Sequence, residues 1–171
     1  MKNLFLFIVM FLGCLQSYAS DTVILHRGDT ICGRITENHI SYIRFVYEGE
    51  EASVPIGKVA IEKIIYNSGR VEECSQKVTL TNPEDFDKVV VFREKEDIAG
   101  LTRIKEILAK SGGVWSISEK EGRYIKKTIV KLQKEALNMG GCAILITSQT
   151  GNSGSYFKDP HSAMTAVVYK Y

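Results

Sequence analysis

Closely spaced turn signals dominate the chain between residues 20 and 77. Short apolar runs there are interrupted by turn-forming residues at 27–29, 48–50 and 67–69. Segments of this length that are rich in β-branched and aromatic residues and lack helical periodicity are typical of β-strands. The spacing predicts five short strands, which we expect to close into a small barrel or to form a strongly bent sheet. Because fewer than about 60 residues bury only a marginal core, we expect this unit to pack against the next one.

An amphipathic helix is the clearest element of the second half. Ser118 and Glu121 form a capping box at the start of residues 119–139. Apolar residues then recur at steps of four, three, four and three, which places them on one helical stripe: Ile125, Ile129, Leu132, Ala136 and Met139. Four lysines lie off this stripe: Lys126, Lys127, Lys131 and Lys134. Two glycines at 140 and 141 end the helix.

Strands are predicted on both sides of this helix. Residues 88–92 form a strongly apolar run that is typical of a central strand, and residues 142–147 predict a buried strand entered directly from the helix. Glycine and serine favour a polar loop over 149–160, and 163–169 predict a closing strand. The pattern of residues 101–110 fits either a helix face or a strand.

These elements predict an α+β fold of two units. A small N-terminal five-stranded β-barrel (20–77) is followed by an α/β domain with one main helix packed on a β-sheet (78–171). The chain shows no internal repeat.

The first nineteen residues are predicted to be a signal peptide. Lys2 precedes an apolar run over 4–12, and small residues at 17 and 19 suit cleavage before Ser20. The run is shorter than the about 20 apolar residues that span a bilayer. Residues 11–14 also form a loose lipobox, in which Cys14 would be acylated. Both alternatives predict export, to the periplasm or the outer membrane of a Gram-negative bacterium, with membrane attachment only through a lipid on Cys14.

Composition excludes several classes of protein. The 22 basic and 20 acidic residues give a net charge of +2, so no large field favours a nucleic-acid partner. The charge is −2 over residues 20–77 and +3 over 78–171. With 44% hydrophobic residues and only three prolines, the chain has the composition of a globular protein and not of a collagen, a coiled coil or a disordered segment.

The second half resembles the RcsF/YbjQ-like α/β domain. The match extends over about 88–171 and rests on a helix that runs into a buried strand: Leu132, Ala136, Leu137, Gly140, Gly141 and residues 143–146. The resemblance implies that residues 104–112 form a strand, and it implies no enzymatic activity. Members of the group include envelope-stress lipoproteins with paired cysteines, but only Cys142 lies in this half, so no disulfide carries over. The first half is similar, more weakly, to small SH3-like or Sm-like barrels.

Cysteines and histidines supply few candidates for chemistry. Cys32 and Cys74 could be bonded across the predicted barrel or be two separate buried thiols, whereas Cys142 is predicted to be an inert buried thiol. The three histidines lack metal-ligand spacing. We therefore expect no catalytic, cofactor-binding or metal-binding residues and no cofactor.

Three aromatic residues are candidate contact residues. Tyr156 and Phe157 lie in the polar loop, where they could bind a partner or fold back onto the sheet. Trp115 follows two glycines and could be an interface residue or part of the core.

The leading hypothesis is an exported, non-catalytic envelope protein that acts as an interaction or scaffolding module. Its partner would be an envelope protein or another envelope component, and its oligomeric state is left open. One alternative is a periplasmic enzyme or metal-binding protein whose site is assembled from distant residues. Another is a redox or stress sensor that uses Cys32 and Cys74.

Overall fold

A computed structural model describes residues 20–112, 121–152 and 161–171. The described residues form a mixed α+β fold with two sheets and one α-helix, α1 (Glu121–Asn138). The strands in chain order are β1 (Asp21–Leu25), β2 (Thr30–Asn38), β3 (Tyr42–Tyr47), β4 (Ser53–Gly57), β5 (Ile61–Ile65), β6 (Val71–Glu73), β7 (Val90–Phe92), β8 (Thr102–Gly112), β9 (Ala143–Asn152) and β10 (His161–Lys170). No helix among the described residues is long and apolar enough to cross a membrane.

The first six strands form the N-terminal sheet, which is antiparallel throughout in the order β4-β3-β2-β1-β5-β6. The prediction of a closed five-stranded barrel is not met, because β4 and β6 stand at opposite ends of this order. The backbone N–H of Gly57 in β4 instead donates to the carbonyl of Ala99, at 2.8 Å. The outer edge of β4 is therefore used by the second half of the chain and not by β6.

The remaining strands form the C-terminal sheet in the order β7-β9-β10-β8. β7 runs parallel to β9, and the other neighbours are antiparallel. Residues 88–92 were expected to form a central strand, but β7 lies at the edge of the sheet. The segment is apolar because it contributes to the core and not because it is central: Val89, just before β7, is 1% exposed and packs into the hydrophobic cluster.

Residues 101–110, which fitted helix or strand, form β8. The alternation of buried and exposed residues along the second half of β8 is typical of a strand with one covered face. The predicted loop over 149–160 begins too early, because β9 continues to Asn152. Pairing with β10 extends it, with Thr150 opposite Ala163 and Gln149 opposite Met164, and this pairing outweighs the turn-forming composition.

Each sheet has its own hydrophobic cluster. The N-terminal cluster contains Val23, Leu25, Ile43, Phe45, Ile56, Ile61 and Ile64. In the C-terminal cluster α1 covers one face of the sheet, with Val89, Ile107, Ala109, Leu132, Ala136, Ile144, Ile146, Met164, Ala166 and Val168. The predicted apolar helix stripe is therefore the buried face of α1.

Polar contacts join the two sheets. The Ser41 hydroxyl donates to an Asp97 carboxylate oxygen at 2.6 Å. The Val78 N–H donates to the hydroxyl of Tyr171 at 3.0 Å, and the Tyr171 ring meets the His26 ring edge-on at 5.1 Å between centroids. The start of the second predicted unit and its last residue are thus both held close to the N-terminal sheet.

Candidate functional site

A cleft of about 470 Å³ opens where the end of β8 meets the first half of α1. We call it the basic cleft, because four of the residues that line it are basic: Arg123, Lys126, Lys127 and Lys131. Ser111, Gly112, Tyr124 and Val130 complete its lining. The described residues that line the cleft include no carboxylate.

The helical repeat explains why these basic residues share one flank of α1. Arg123, Lys127 and Lys131 are spaced four residues apart, so they lie above one another on the helix surface. Ile129 and Leu132 point elsewhere, since they pack on the hydrophobic cluster of the C-terminal sheet. Burial of the apolar stripe therefore turns the basic flank toward the end of β8.

Ser111 is a buried polar group in the lining of the basic cleft. It is 6% exposed, and its Oγ has no hydrogen-bond partner among the described residues. Ser162, its register partner on β10, also has a buried Oγ without a described partner. A buried hydroxyl without a partner costs about 1–3 kcal/mol, and such groups are uncommon in native proteins. Rotation of the Ser111 side chain toward the cleft would let a ligand oxygen accept from its hydroxyl and remove this cost.

Several contacts hold the basic side chains in place. Lys131 Nζ donates to the Lys110 carbonyl at 2.6 Å, and Lys127 Nζ lies 5.5 Å from the centroid of the Tyr124 ring. The buried hydroxyl of Thr128 donates to the Tyr124 carbonyl at 2.8 Å. The cleft thus combines positive charge with an apolar wall formed by Tyr124, Val130 and lysine stems, an arrangement suited to an anionic group on a partly apolar ligand.

A second cleft, of about 400 Å³, lies on the N-terminal sheet beside Ser20. Arg34 lines it together with Glu48 and Glu50. Since its charged residues are of both signs, it offers less selectivity for one kind of ion than the basic cleft does.

His26 and Ser75 are brought together from distant parts of the sequence. His26 Nε2 lies 2.8 Å from Ser75 Oγ, and this hydroxyl also lies 2.9 Å from the carbonyls of Lys58 and Ile61. A serine nucleophile gives its proton to the histidine, but here the single hydroxyl proton has carbonyl acceptors around it. When Ser75 donates to a carbonyl, His26 Nε2–H donates to Ser75. The pair therefore cross-links the chain.

The electrostatic surroundings of His26 favour its neutral form. Burial lowers the pKa of His26, and the positive charge of Lys77 lowers it further, while Glu62 acts in the opposite direction. Lys77 Nζ also donates to the His26 carbonyl at 3.0 Å. We call His26, Ser75, Lys77 and Tyr171 the His26 cluster.

The structure does not bring Cys32 and Cys74 together. Cys32 is exposed on β2, Cys74 follows β6, and both are free. Two strands, β1 and β5, separate β2 from β6, so these two strands lie about 14 Å apart across the sheet, farther than a disulfide can bridge. Cys142 is also free and is buried, and burial raises its pKa.

Four other predicted site residues lie outside the described residues. They are the lipidation candidate Cys14 and the contact candidates Trp115, Tyr156 and Phe157. Within the described ranges, no three histidine, cysteine, aspartate or glutamate side chains are grouped to hold a metal ion.

Comparisons of the chain with protein families, with curated proteins and with solved structures find no match.

The basic cleft was not predicted from the sequence. The lysines of the helix were recognised only as lying off the apolar stripe. The four-residue spacing of Arg123, Lys127 and Lys131 was the available signal. It could not be linked to Ser111 while residues 101–110 fitted either helix or strand.

Proposed function

We propose that this protein is an exported, non-catalytic binding module of a Gram-negative cell envelope, and that its basic cleft binds an acidic partner. The observation that carries the proposal is the convergence of four basic side chains beside Ser111, whose buried hydroxyl has no partner among the described residues. A hydroxyl and several cations together match the hydrogen-bonding and charge requirements of a carboxylate or phosphate group.

The hydrogen bonds made by the polar side chains favour a binding role over a catalytic one. The His26–Ser75 pair is held by the backbone carbonyls of Lys58 and Ile61, so it cross-links segments of the first half of the chain. The polar groups of the basic cleft can bind and orient an anion. Among the described residues, no carboxylate or histidine lines the cleft to serve as a proton donor or acceptor near neutral pH.

Two parts of this proposal rest on the sequence pattern alone. Export rests on the pattern of residues 1–19, with Cys14 as the alternative point of lipid attachment. The RcsF/YbjQ-like resemblance of residues 88–171 and the barrel-like resemblance of the first half stay proposals on the same basis.

The test is a binding titration with a fluorescent peptide of about six glutamates, followed by anisotropy at low and moderate salt. We expect the wild-type protein to bind it and the affinity to fall with salt, because exposed charges are screened over about 10 Å at 0.1 M. Reversing two cleft charges, in Lys126→Glu/Lys131→Glu, should weaken binding at least about tenfold, which corresponds to about 1.4 kcal/mol.

The matched control is Lys95→Glu, which changes the charge of an exposed lysine away from the cleft. It should leave the affinity for hexaglutamate within about twofold of wild type. A peptide of six glutamines serves as the uncharged probe. Equal binding of hexaglutamate by the double variant and the wild type would refute the proposed function, provided that circular dichroism shows the double variant to be folded.

A further inference from the structure

β8 forms a long edge of the C-terminal sheet, and no described strand lies beyond it. Within the described ranges, β8 pairs only with β10 and stands at the end of the strand order. Its 11 residues, Thr102–Gly112, span about 36 Å. A strand of this length at a sheet edge is a template for another extended segment, and the basic cleft lies beside it.

Hydrogen bonds on β9 and β10 show which backbone groups of β8 point outward. The hydroxyls of Thr147 and Thr150 on β9 donate to the carbonyls of Thr165 and Ala163 on β10, at 3.2 and 3.5 Å. These two residues of β10 therefore direct their backbone polar groups toward β9. In an antiparallel ladder, their register partners on β8 then direct theirs to the opposite side.

Those register partners are Leu108 and Lys110. The Lys110 carbonyl confirms the outward direction, because Lys131 Nζ reaches it from the helix at 2.6 Å. By the alternation of the strand, Glu106 points the same way. The N–H and C=O groups of Glu106 and Leu108 are thus oriented to pair with an added strand.

We propose that the acidic partner adds as a β-strand to the outer edge of β8, using a segment in which acidic and apolar residues alternate. This inference rests on the proposed function and specifies the partner of the same cleft. Side chains of an added strand alternate between its two faces. On the helix side they would meet the basic residues of α1, and on the other side they would meet Leu108, which is 55% exposed.

The charge of the edge favours an acidic segment over a second copy of this chain. Arg103, Lys105 and Lys110 are exposed along β8, against one exposed acidic residue, Glu106. Pairing of two β8 strands would bring these positive charges and the basic flanks of two helices together, and like charges on neighbouring strands are destabilising. An acidic strand removes this repulsion.

The first test compares peptides of alternating glutamate and valine, about eight residues long. One is N-methylated at the valines and the other at the glutamates. Strand addition uses only one of these two sets of N–H groups, so we expect one methylated peptide to bind at least about tenfold more weakly than the unmethylated peptide. The other should bind within about threefold of it. Equal effects of the two methylations would overturn strand addition.

The second test changes β8 itself. Leu108→Pro removes an outward N–H and no ladder hydrogen bond, so an edge strand can accept it. We expect it to weaken binding of the alternating peptide at least about tenfold while preserving binding of hexaglutamate. Leu108→Ala is the matched control, since it shortens the same side chain and keeps the N–H. It should weaken binding by only about threefold.

The outcomes separate the two proposals. If hexaglutamate binds and the charge reversal at Lys126 and Lys131 abolishes binding, but neither methylation nor Leu108→Pro matters, the cleft binds acidic ligands without strand addition. If hexaglutamate does not bind, the proposed function itself fails. A peptide-free dimer in sedimentation that Leu108→Pro dissociates would show that a second copy occupies the edge, and it would overturn the inference. Should Leu108→Pro not fold, the methylated peptides decide.

Discussion

In the N-terminal sheet the carboxylate of Glu72 accepts hydrogen bonds from its neighbours, whereas in the C-terminal sheet the buried hydroxyl of Ser111 has no partner among the described residues. Glu72 accepts hydrogen bonds from the Tyr66 hydroxyl at 2.7 Å and the Lys58 ammonium at 3.0 Å. The bond from Tyr66 is the largest of the causes that lower the pKa of Glu72. Ser111 is more deeply buried than Glu72, yet its hydroxyl has no partner among the described residues. The polar groups around Glu72 are paired with one another, while the buried hydroxyl of Ser111 at the basic cleft has no partner among the described residues.

The sheet edges differ in the same way. In the N-terminal sheet the edge of β4 is contacted by the backbone of Ala99, and β6, at the other end, is only three residues long. Both are usual ways to protect an edge. β8 in the C-terminal sheet is long and is capped at one carbonyl by Lys131. Among the described residues, the backbone edge of β8 and the buried hydroxyl of Ser111 without a partner therefore occur together, on one side of the C-terminal sheet.

The largest expected change in stability tests whether the two hydrophobic clusters unfold independently of each other. Phe45 is fully buried in the N-terminal cluster. Phe45→Ala should lower the free energy of unfolding by about 3–5 kcal/mol, because a large cavity is left in a packed core. Urea unfolding measures the loss, and native-state hydrogen exchange shows where it acts. Amides of β1 and β3 should lose protection while those of β9 and β10 keep theirs.

The control for this variant is Ile40→Ala. Ile40 is 99% exposed, so its truncation should change stability by less than about 0.5 kcal/mol. An equal loss of protection in both sheets of Phe45→Ala would show that the two clusters form one cooperative unit, and the contrast between them would then concern only their surfaces.

The sequence allowed the strands of the N-terminal sheet and the helix α1 to be predicted, because both depend on local patterns. Turn residues at short intervals and an apolar stripe at helical spacing need no tertiary information. Closure of a barrel, in contrast, depends on which partner takes the edge of β4. That partner is Ala99, which lies 42 residues beyond Gly57 in the chain, and no local pattern indicates it.

The candidate site was harder to predict for the same reason. Ser111 lies opposite Ser162 in the β8–β10 ladder, and neither hydroxyl has a described partner. Register across two distant strands cannot be derived from either strand alone. The pairing of His26 with Ser75, 49 residues apart, is likewise a product of tertiary structure.

The next largest expected change in stability comes from replacing either of two serines, Ser75 and Ser111, by alanine. Ser75→Ala should destabilise the protein by about 1–3 kcal/mol, because it leaves buried groups of the His26 cluster without a partner. Ser111→Ala should leave stability unchanged or raise it by up to about 1 kcal/mol, since it removes a buried hydroxyl that has no described partner. The same chemical change is thus expected to have opposite signs in the two sheets.

Ligand binding should separate the two serine variants in the reverse order. Ser111→Ala should weaken binding of hexaglutamate by about three- to tenfold, the loss of one hydrogen bond to a charged group. Ser75→Ala should leave that affinity unchanged below its unfolding temperature. If Ser111→Ala destabilises the protein as much as Ser75→Ala, the Ser111 hydroxyl has a structural partner and the contrast between the sheets is lost.

The smallest effect is a dependence of stability on pH that comes from His26. Because burial lowers the pKa of His26 below the ordinary value of 6.5, the unfolded chain takes up this proton more readily than the folded protein does. The stabilisation is complete above pH 6.5 and is lost as the pH falls below it. Glu72 and Asp85, whose pKa values are lowered by their hydrogen bonds, lose their contribution at lower pH, below about 4.5.

Urea midpoints measured between about pH 7.5 and 5.5 should therefore fall in the wild-type protein and change less in His26→Gln. The control is His39→Gln, which makes the same chemical change at an exposed histidine whose Nε2 lies 2.8 Å from a Glu37 oxygen, and the flattening should be larger in His26→Gln than in this variant. An unchanged slope in His26→Gln would show that protonation of His26 does not weaken the contact between the sheets.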